Sequence, residues 1–157
     1  MAATVIDGKA LAAKCKERVK AEAGALSKRP GLAVIIVGDN PASRTYVNSK
    51  RKDCAECGIY SEEYALPEET TQEELLAVID QVNKDDSIHG CLLFRPLPKQ
   101  FDDRTIRAAL SPEKDIDGIT DGSLAAVYAG TDSGYPPCTA AACVALLKHY
   151  NIPIKGK

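Results

Sequence analysis

Tyr46 and Lys50 stand four residues apart in the stretch Gly38–Lys50. Asn40 suits a helix N-cap and Pro41 the first helical position. In a helix that starts at Pro41 the two side chains share one face, one turn apart. An aromatic platform and an amine then stand together near the end of the apolar run Leu32–Val37. Taken alone, the pair is equally the exposed face of a surface helix, because surface lysines are common. A second constellation is the loop Ser111–Gly118, which contains Asp115-Ile116-Asp117. In an extended loop its two carboxylates point opposite ways, so one can face a ligand while the other braces the loop. An Asx-turn without chemical consequence accounts for the same residues. A third, Pro136-Pro137-Cys138-Thr139, reads as a helix-capping turn.

The elements that must carry these residues follow from periodicity. Thr4-Val5-Ile6 reads as a short edge strand, and Asp7 caps the helix after it. Leu11, Cys15, Val19, Ala23 and Leu26 recur every three or four residues, which marks an amphipathic helix. Arg29-Pro30-Gly31 stops it. Leu32–Val37 is continuously apolar, as in a strand covered on both faces. The helix Pro41–Cys57 follows, with Gly58 as its C-cap. Ile59–Leu66 is a strand of mixed polarity and so nearer an edge. Thr71-Gln72-Glu73-Glu74 is a capping box, and Leu75, Leu76, Ile79 and Val82 form the apolar side of its helix. Ile88–Phe94 is a third strand, ended by Arg95-Pro96-Leu97-Pro98 because proline cannot continue a central strand. Asp102 caps a short helix through Leu110, Ser111–Gly122 is a loop, and Ser123–Tyr128 is a short helix. A second loop surrounds Gly134–Pro137. Thr139 caps a last helix with Val144, Leu147 and Tyr150 on one side.

Alternating strands and helices imply βαβ units: an α/β fold, three-layer αβα with a mainly parallel sheet and right-handed crossovers. In such sheets ligands bind outside the carboxyl ends of the strands. That rule selects Gly38-Asp39-Asn40 and Arg95-Pro96-Leu97-Pro98, with Tyr46 and Lys50 nearby.

The 157 residues fit one domain long enough to bury a real core. Hydrophobic residues at 45% and charged ones at 27% are ordinary for a soluble globular protein. A net charge of −2 argues against nucleic acid and anionic membrane as partners. No apolar stretch reaches the length of a membrane span, and the N-terminus lacks the basic and apolar regions of a secretion signal; the expected location is cytoplasmic. Of the six cysteines, only Cys54 and Cys57 are closely spaced, and no second pair completes a zinc site. Their place at a helix end, not a helix start, favours reduced, half-buried thiols. Tyr-x-x-x-Lys also serves short-chain dehydrogenases. That family needs an N-terminal glycine-rich phosphate loop, and here Ile6-Asp7-Gly8-Lys9 runs directly into a helix.

Taken together, Val37-Gly38-Asp39-Asn40-Pro41-Ala42-Ser43, Tyr46-Val47 and Lys50 resemble the signature of the bifunctional methylenetetrahydrofolate dehydrogenase/methenyltetrahydrofolate cyclohydrolases, the FolD family. Arg95-Pro96-Leu97-Pro98, Lys114-Asp115-Ile116-Asp117-Gly118 and Pro137-Cys138-Thr139 resemble its later motifs in the same order. The resemblance implies that 1–150 is a folate-binding catalytic domain and 151–157 the start of a linker to a dinucleotide-binding domain. It implies oxidation of 5,10-methylenetetrahydrofolate to the methenyl form with NADP, then hydrolysis to 10-formyltetrahydrofolate, in one-carbon metabolism and purine biosynthesis. Lys50 falls on the family's catalytic lysine, Tyr46 on its folate-stacking tyrosine and Asp117 on its pterin-binding aspartate. Phe94, Arg95, Pro96, Leu97 and Pro98 fall on its substrate-binding loop, and Thr139 is assigned to the cofactor side. The methenyl substrate is an amidinium-like cation, and a cation beside an amine favours the neutral amine. In that form Lys50 can take a proton from the attacking water.

Two departures stand out. The family usually reads Val-Gln-Leu-Pro-Leu-Pro where this chain has Leu93-Phe94-Arg95-Pro96-Leu97-Pro98, so Phe94 replaces a glutamine beside the lysine. The usual Pro-Cys-Thr-Pro-x-Gly appears as Pro137-Cys138-Thr139-Ala140-Ala141-Ala142. Family members also continue past Gly156-Lys157 into a Gly-Arg-Ser nucleotide loop, so the expected reading is a truncated chain whose parent is a homodimer and which is itself a monomer. The alternatives are a folate-binding domain without turnover, and an αβα scaffold with a decayed site.

Overall fold

The computed structural model describes residues 5–156. The elements run α1 (Gly8–Ala25), β1 (Gly31–Val37), α2 (Pro41–Cys57), β2 (Tyr60–Leu66), α3 (Gln72–Lys84), β3 (Gly90–Leu93), α4 (Asp103–Ala109), α5 (Asp121–Ala129) and α6 (Cys138–His149). The strands form one parallel sheet in the order β2-β1-β3. Gly31 faces Tyr60 at one end of the β1–β2 pair and Val37 faces Leu66 at the other. On the opposite side Leu32–Ile35 pair with Gly90–Leu93.

The central place of β1 explains its unbroken apolar run. Ala33 and Ile35 pack on one face against Leu75, Ile79 and Val82 of α3 and Ile106 of α4. Val34 and Ile36 pack on the other against Val47 of α2. Helices therefore cover both faces, giving the three layers that the alternation of elements implies. The chain leaves β1 for β2 through α2 on one face. It then crosses back over β1 through α3 on the other, the opposite-face arrangement that right-handed crossovers require. The carboxyl ends of β1 and β3 thus lie side by side where their connections diverge, the place where α/β sheets form crevices.

Caps fix the helix starts. Asp7 accepts from the Ala10 amide at 2.9 Å. Asn40 accepts from Ala42 at 2.9 Å and Ser43 at 3.4 Å. At α3 the Thr71 amide donates to Glu74 at 2.8 Å and the Glu74 amide donates back to the Thr71 hydroxyl at 3.3 Å. Gly58 ends α2 in the left-handed region at φ 75°.

Several sequence expectations change. Thr4 lies outside the described residues, and Val5 and Ile6 form no strand. The third strand is shorter than Ile88–Phe94. His89 and Phe94 still donate to β1, at 2.8 Å to Gly31 and 2.9 Å to Ile35, but Ile88 closes a turn onto Asp85, and Pro96 has no N–H to continue the pairing. The helix α5 begins at Asp121, not Ser123, because Thr120 caps it by accepting from the Ser123 amide at 3.1 Å. Thr139 is not the cap of α6. That helix starts at Cys138 behind Pro137, which makes no side-chain cap. Cys54 and Cys57 are buried, not half-buried, and all six cysteines are free.

Candidate functional site

The loop after α4 is anchored through Lys114 and Asp115. Lys114 Nζ donates to the carbonyls of Val82 at 2.8 Å and Asp85 at 2.7 Å, which closes the C-terminal end of α3 with a cation. Asp115 is wholly buried. Its carboxylate accepts from the Ile119 amide at 3.0 Å and the Thr120 amide at 2.7 Å. Burial alone would raise its pKa. The Thr120 and Ile119 amides and the Ser123 and Thr120 hydroxyls outweigh that and hold it below the ordinary carboxylate value. The Cys91 amide also donates to the Lys114 carbonyl at 2.6 Å, so the loop lies along the free edge of β3.

Gly118 completes the loop. Its φ is +68°, and a Cβ there would stand 2.7 Å from the Tyr135 carbonyl oxygen and 2.6 Å from the Pro137 nitrogen. Only glycine allows this approach of two backbones. Cys138 seals the same contact, its thiol donating to the Ile116 carbonyl at 3.0 Å. Burial and the adjacent Asp117 push that thiol's pKa up, which keeps it a neutral donor.

With Asp115 turned inward, Asp117 turns the other way, into a cavity of about 260 Å³ lined by Tyr46, Leu92, Leu93, Phe94, Arg95, Asp117 and Ile119. It sits at the carboxyl end of β3. Tyr46 and Phe94 meet edge to face, with ring centroids 5.5 Å apart and planes at 68°. Tyr46 is 49% exposed, so a ring face remains free for a planar ligand. Lys50 Nζ lies 5.1 Å from the Tyr46 ring centroid, within cation–π range. Its stem lines the groove between α1 and α2. The nearby carboxylate of Asp53 is taken by Lys16 at 2.7 Å.

The cavity thus collects Tyr46, Phe94, Arg95 and Asp117. Pro96, Leu97 and Pro98 line a second recess of about 390 Å³ with Gly38, Asp39 and Asn40. Arg44 braces that turn, reaching Asp39 at 2.8 Å and Glu63 at 2.6 Å. Thr139 is exposed on the first turn of α6 and lines neither recess. Leu92, Leu93 and Ile119 are cavity residues that sequence reasoning missed; their neighbours Phe94 and Asp117 were the available signal.

The fold and the sequence are similar to those of known proteins. Residues 6–117 match the family described as tetrahydrofolate dehydrogenase/cyclohydrolase, catalytic domain. The bifunctional protein FolD of Acetivibrio thermocellus is 48% identical over 160 residues, covering 100% of this chain and 56% of its own. That of Geotalea daltonii is 45% identical over 158 residues, covering 99% and 56%. The crystal structure of the bifunctional FolD methylenetetrahydrofolate dehydrogenase/cyclohydrolase from Campylobacter jejuni superposes with a TM-score of 0.96 at 46% identity, covering 99% of this chain and 56% of that one. The Trypanosoma brucei methylenetetrahydrofolate dehydrogenase-cyclohydrolase, solved with NADP cofactor and inhibitor, gives 0.92 at 33% identity, covering 99% and 54%. The chain spans about half the length of the relatives it matches.

Proposed function

The chain belongs to the tetrahydrofolate dehydrogenase/cyclohydrolase family, and from that premise we propose that it forms the folate-binding catalytic part of an enzyme that oxidises 5,10-methylenetetrahydrofolate to 5,10-methenyltetrahydrofolate with NADP. Hydrolysis on to 10-formyltetrahydrofolate is weakened by Phe94. The observation that carries this reading is the convergence of Tyr46, Phe94 and Asp117 on one cavity at the carboxyl end of β3, with Lys50 at the Tyr46 ring.

The chemistry follows from the groups present. A carboxylate accepts two hydrogen bonds at once, which suits the amino and ring N–H donors of a pterin; Asp117 supplies it. The free face of Tyr46 stacks the p-aminobenzoate ring. The Lys50 amine takes a proton from, or orients, the water that attacks the one-carbon centre. A glutamine at position 94 would hydrogen-bond the lysine and the water; the phenyl ring of Phe94 offers an edge to Tyr46 instead.

NADP supplies the hydride acceptor when bound. The turn after β1 does not fit it as its holder. The one glycine turn leading from a strand into a helix, Gly38–Asn40, has its helix amides taken by the Asn40 side chain, so no free amides remain for a phosphate. We propose that NADP binding is supplied from outside residues 5–156. The contribution of these residues to oxidation is to hold the folate still. No described helix is long and apolar enough to cross a membrane.

The test is a pair of rates in the full-length gene product. Dehydrogenation proceeds, while hydrolysis of methenyltetrahydrofolate rises about tenfold in Phe94→Gln, less than the ~10²- to 10⁴-fold that a proton-transfer group itself contributes, because the glutamine only tunes that group. Hydrolysis that is no faster in the variant sinks the role given to Phe94. Failure of the chain to bind tetrahydrofolate in a calorimetric titration sinks the proposal as a whole.

A further inference from the structure

One cation on α4 reaches both sides of the cavity. Arg107 donates from Nη1 to the Ile119 carbonyl at 2.8 Å and to Asp121 at 3.0 Å, and from Nε to Asp103 at 3.1 Å. Asp103 in turn receives the Arg95 guanidinium through two bonds, at 2.8 and 2.6 Å. Arg95 and Ile119 both line the cavity. Only 21% of the Arg107 side chain is exposed, so its bonds are partly shielded from water and salt.

The Ile119 peptide is therefore gripped from two directions. Its amide goes inward to Asp115 at 3.0 Å and its carbonyl goes outward to Arg107 at 2.8 Å. Asp117 lies two residues before this grip, with Gly118 between them as the pivot at φ +68°. Beside its carboxylate lies the Cys138 thiol, a weak donor that already serves the Ile116 carbonyl, so its place in the cavity depends mainly on how firmly the following peptide is fixed.

We propose that Arg107 is a positioning residue for Asp117: with Asp115 it clamps the Ile119 peptide and so sets where the Asp117 carboxylate meets a ligand. Through Asp103 the same ladder also holds Arg95 on the cavity wall. The proposal rests on the folate reading of the cavity, because the ligand whose affinity reports the position of Asp117 is a tetrahydrofolate.

The experiment titrates the full-length gene product with tetrahydrofolate by calorimetry, with circular dichroism confirming that each variant is folded at the titration temperature. Arg107→Ala weakens binding about tenfold, equal to 1.4 kcal/mol and within the coupling range of residues sharing one network. Arg107→Lys loses about threefold, since one ammonium reaches the Ile119 carbonyl but does not serve Asp103 and Asp121 together. In an Asp117→Ala background, where stacking on Tyr46 keeps the titration readable, Arg107→Ala adds less than about twofold. A tenfold loss from Arg107→Ala in both backgrounds overturns the positioning role while leaving the folate reading intact. An Asp117→Ala variant with unchanged affinity overturns the folate reading itself. If Arg107→Ala does not fold, the Arg107→Lys pair of titrations decides by the same comparison.

Discussion

Lys50→Met in the full-length gene product is expected to lower hydrolysis of methenyltetrahydrofolate by about 10²- to 10⁴-fold, the range a positioned proton-transfer group supplies, with tetrahydrofolate affinity retained within about threefold. Methionine keeps the length and the apolar stem that lies along the groove between α1 and α2 but removes the amine above the Tyr46 ring. The lost cation–π contact is worth only about 0.5–1 kcal/mol at a half-exposed site, too little to abolish binding. Rates are compared in both the parent and the Phe94→Gln background, because the parent rate is itself expected to be low. Lost folate affinity would make Lys50 a binding group. Unchanged hydrolysis in the Phe94→Gln background would remove it from the chemistry altogether.

Asp115→Asn is expected to lower the melting temperature of the chain by about 6–12 °C, from a loss of about 3 kcal/mol. The variant is nearly isosteric, so packing is unchanged. One of its two terminal atoms becomes an NH₂ group that must face either the Ile119 or the Thr120 amide, donor against donor, in a wholly buried place. The loss has a pH signature. The Asp115 pKa is held below its ordinary value of 3.8 in the folded chain. Its charged form therefore stabilises the fold above that value, and this contribution disappears as pH falls through the depressed folded pKa. The gap between parent and variant should be full at neutral pH and narrow progressively below about pH 4. Melting curves at neutral and acid pH check it; a gap that stays constant over that range would show that the Asp115 charge is not what holds the loop.

The parts of the fold that were legible in the sequence are those fixed by near neighbours. The Asn40-Pro41 start of α2, its Gly58 end and the capping box at Thr71 are all closed by partners within a few residues. The Leu32–Val37 run declares a strand covered on both faces without any knowledge of what covers it. The carboxylate alternation at Asp115 and Asp117 likewise follows from loop geometry alone. What was hidden depends on distant partners or competes with a louder local pattern. Thr120 as the cap of α5 was obscured by the Asp- and Gly-rich stretch around it. Thr139 looked like a cap because its residue type favours that role, but Pro137 and the Cys138 contact to Ile116 set the start of α6 two residues earlier. The burial of Cys54 and Cys57 had a signal: with Val47 they fall on one side of α2 at helical spacing. Nothing local announces that Lys114 closes α3, thirty residues before it, or that Arg107 holds the Ile119 carbonyl. Such bonds are consequences of the assembled sheet.

Gly118 carries one consequence for recombination among relatives. Its missing Cβ lets the turn after Asp117 lie directly against the backbone of Tyr135–Pro137, and the Cys138 thiol ties the same two segments together. The match to the family's catalytic-domain description covers residues 6–117, yet both the likeness to whole relatives and the physical unit run on past 117. Chimaeras spliced at that boundary would join two surfaces shaped by different partners, whereas residues 115–138 transfer intact only as one block.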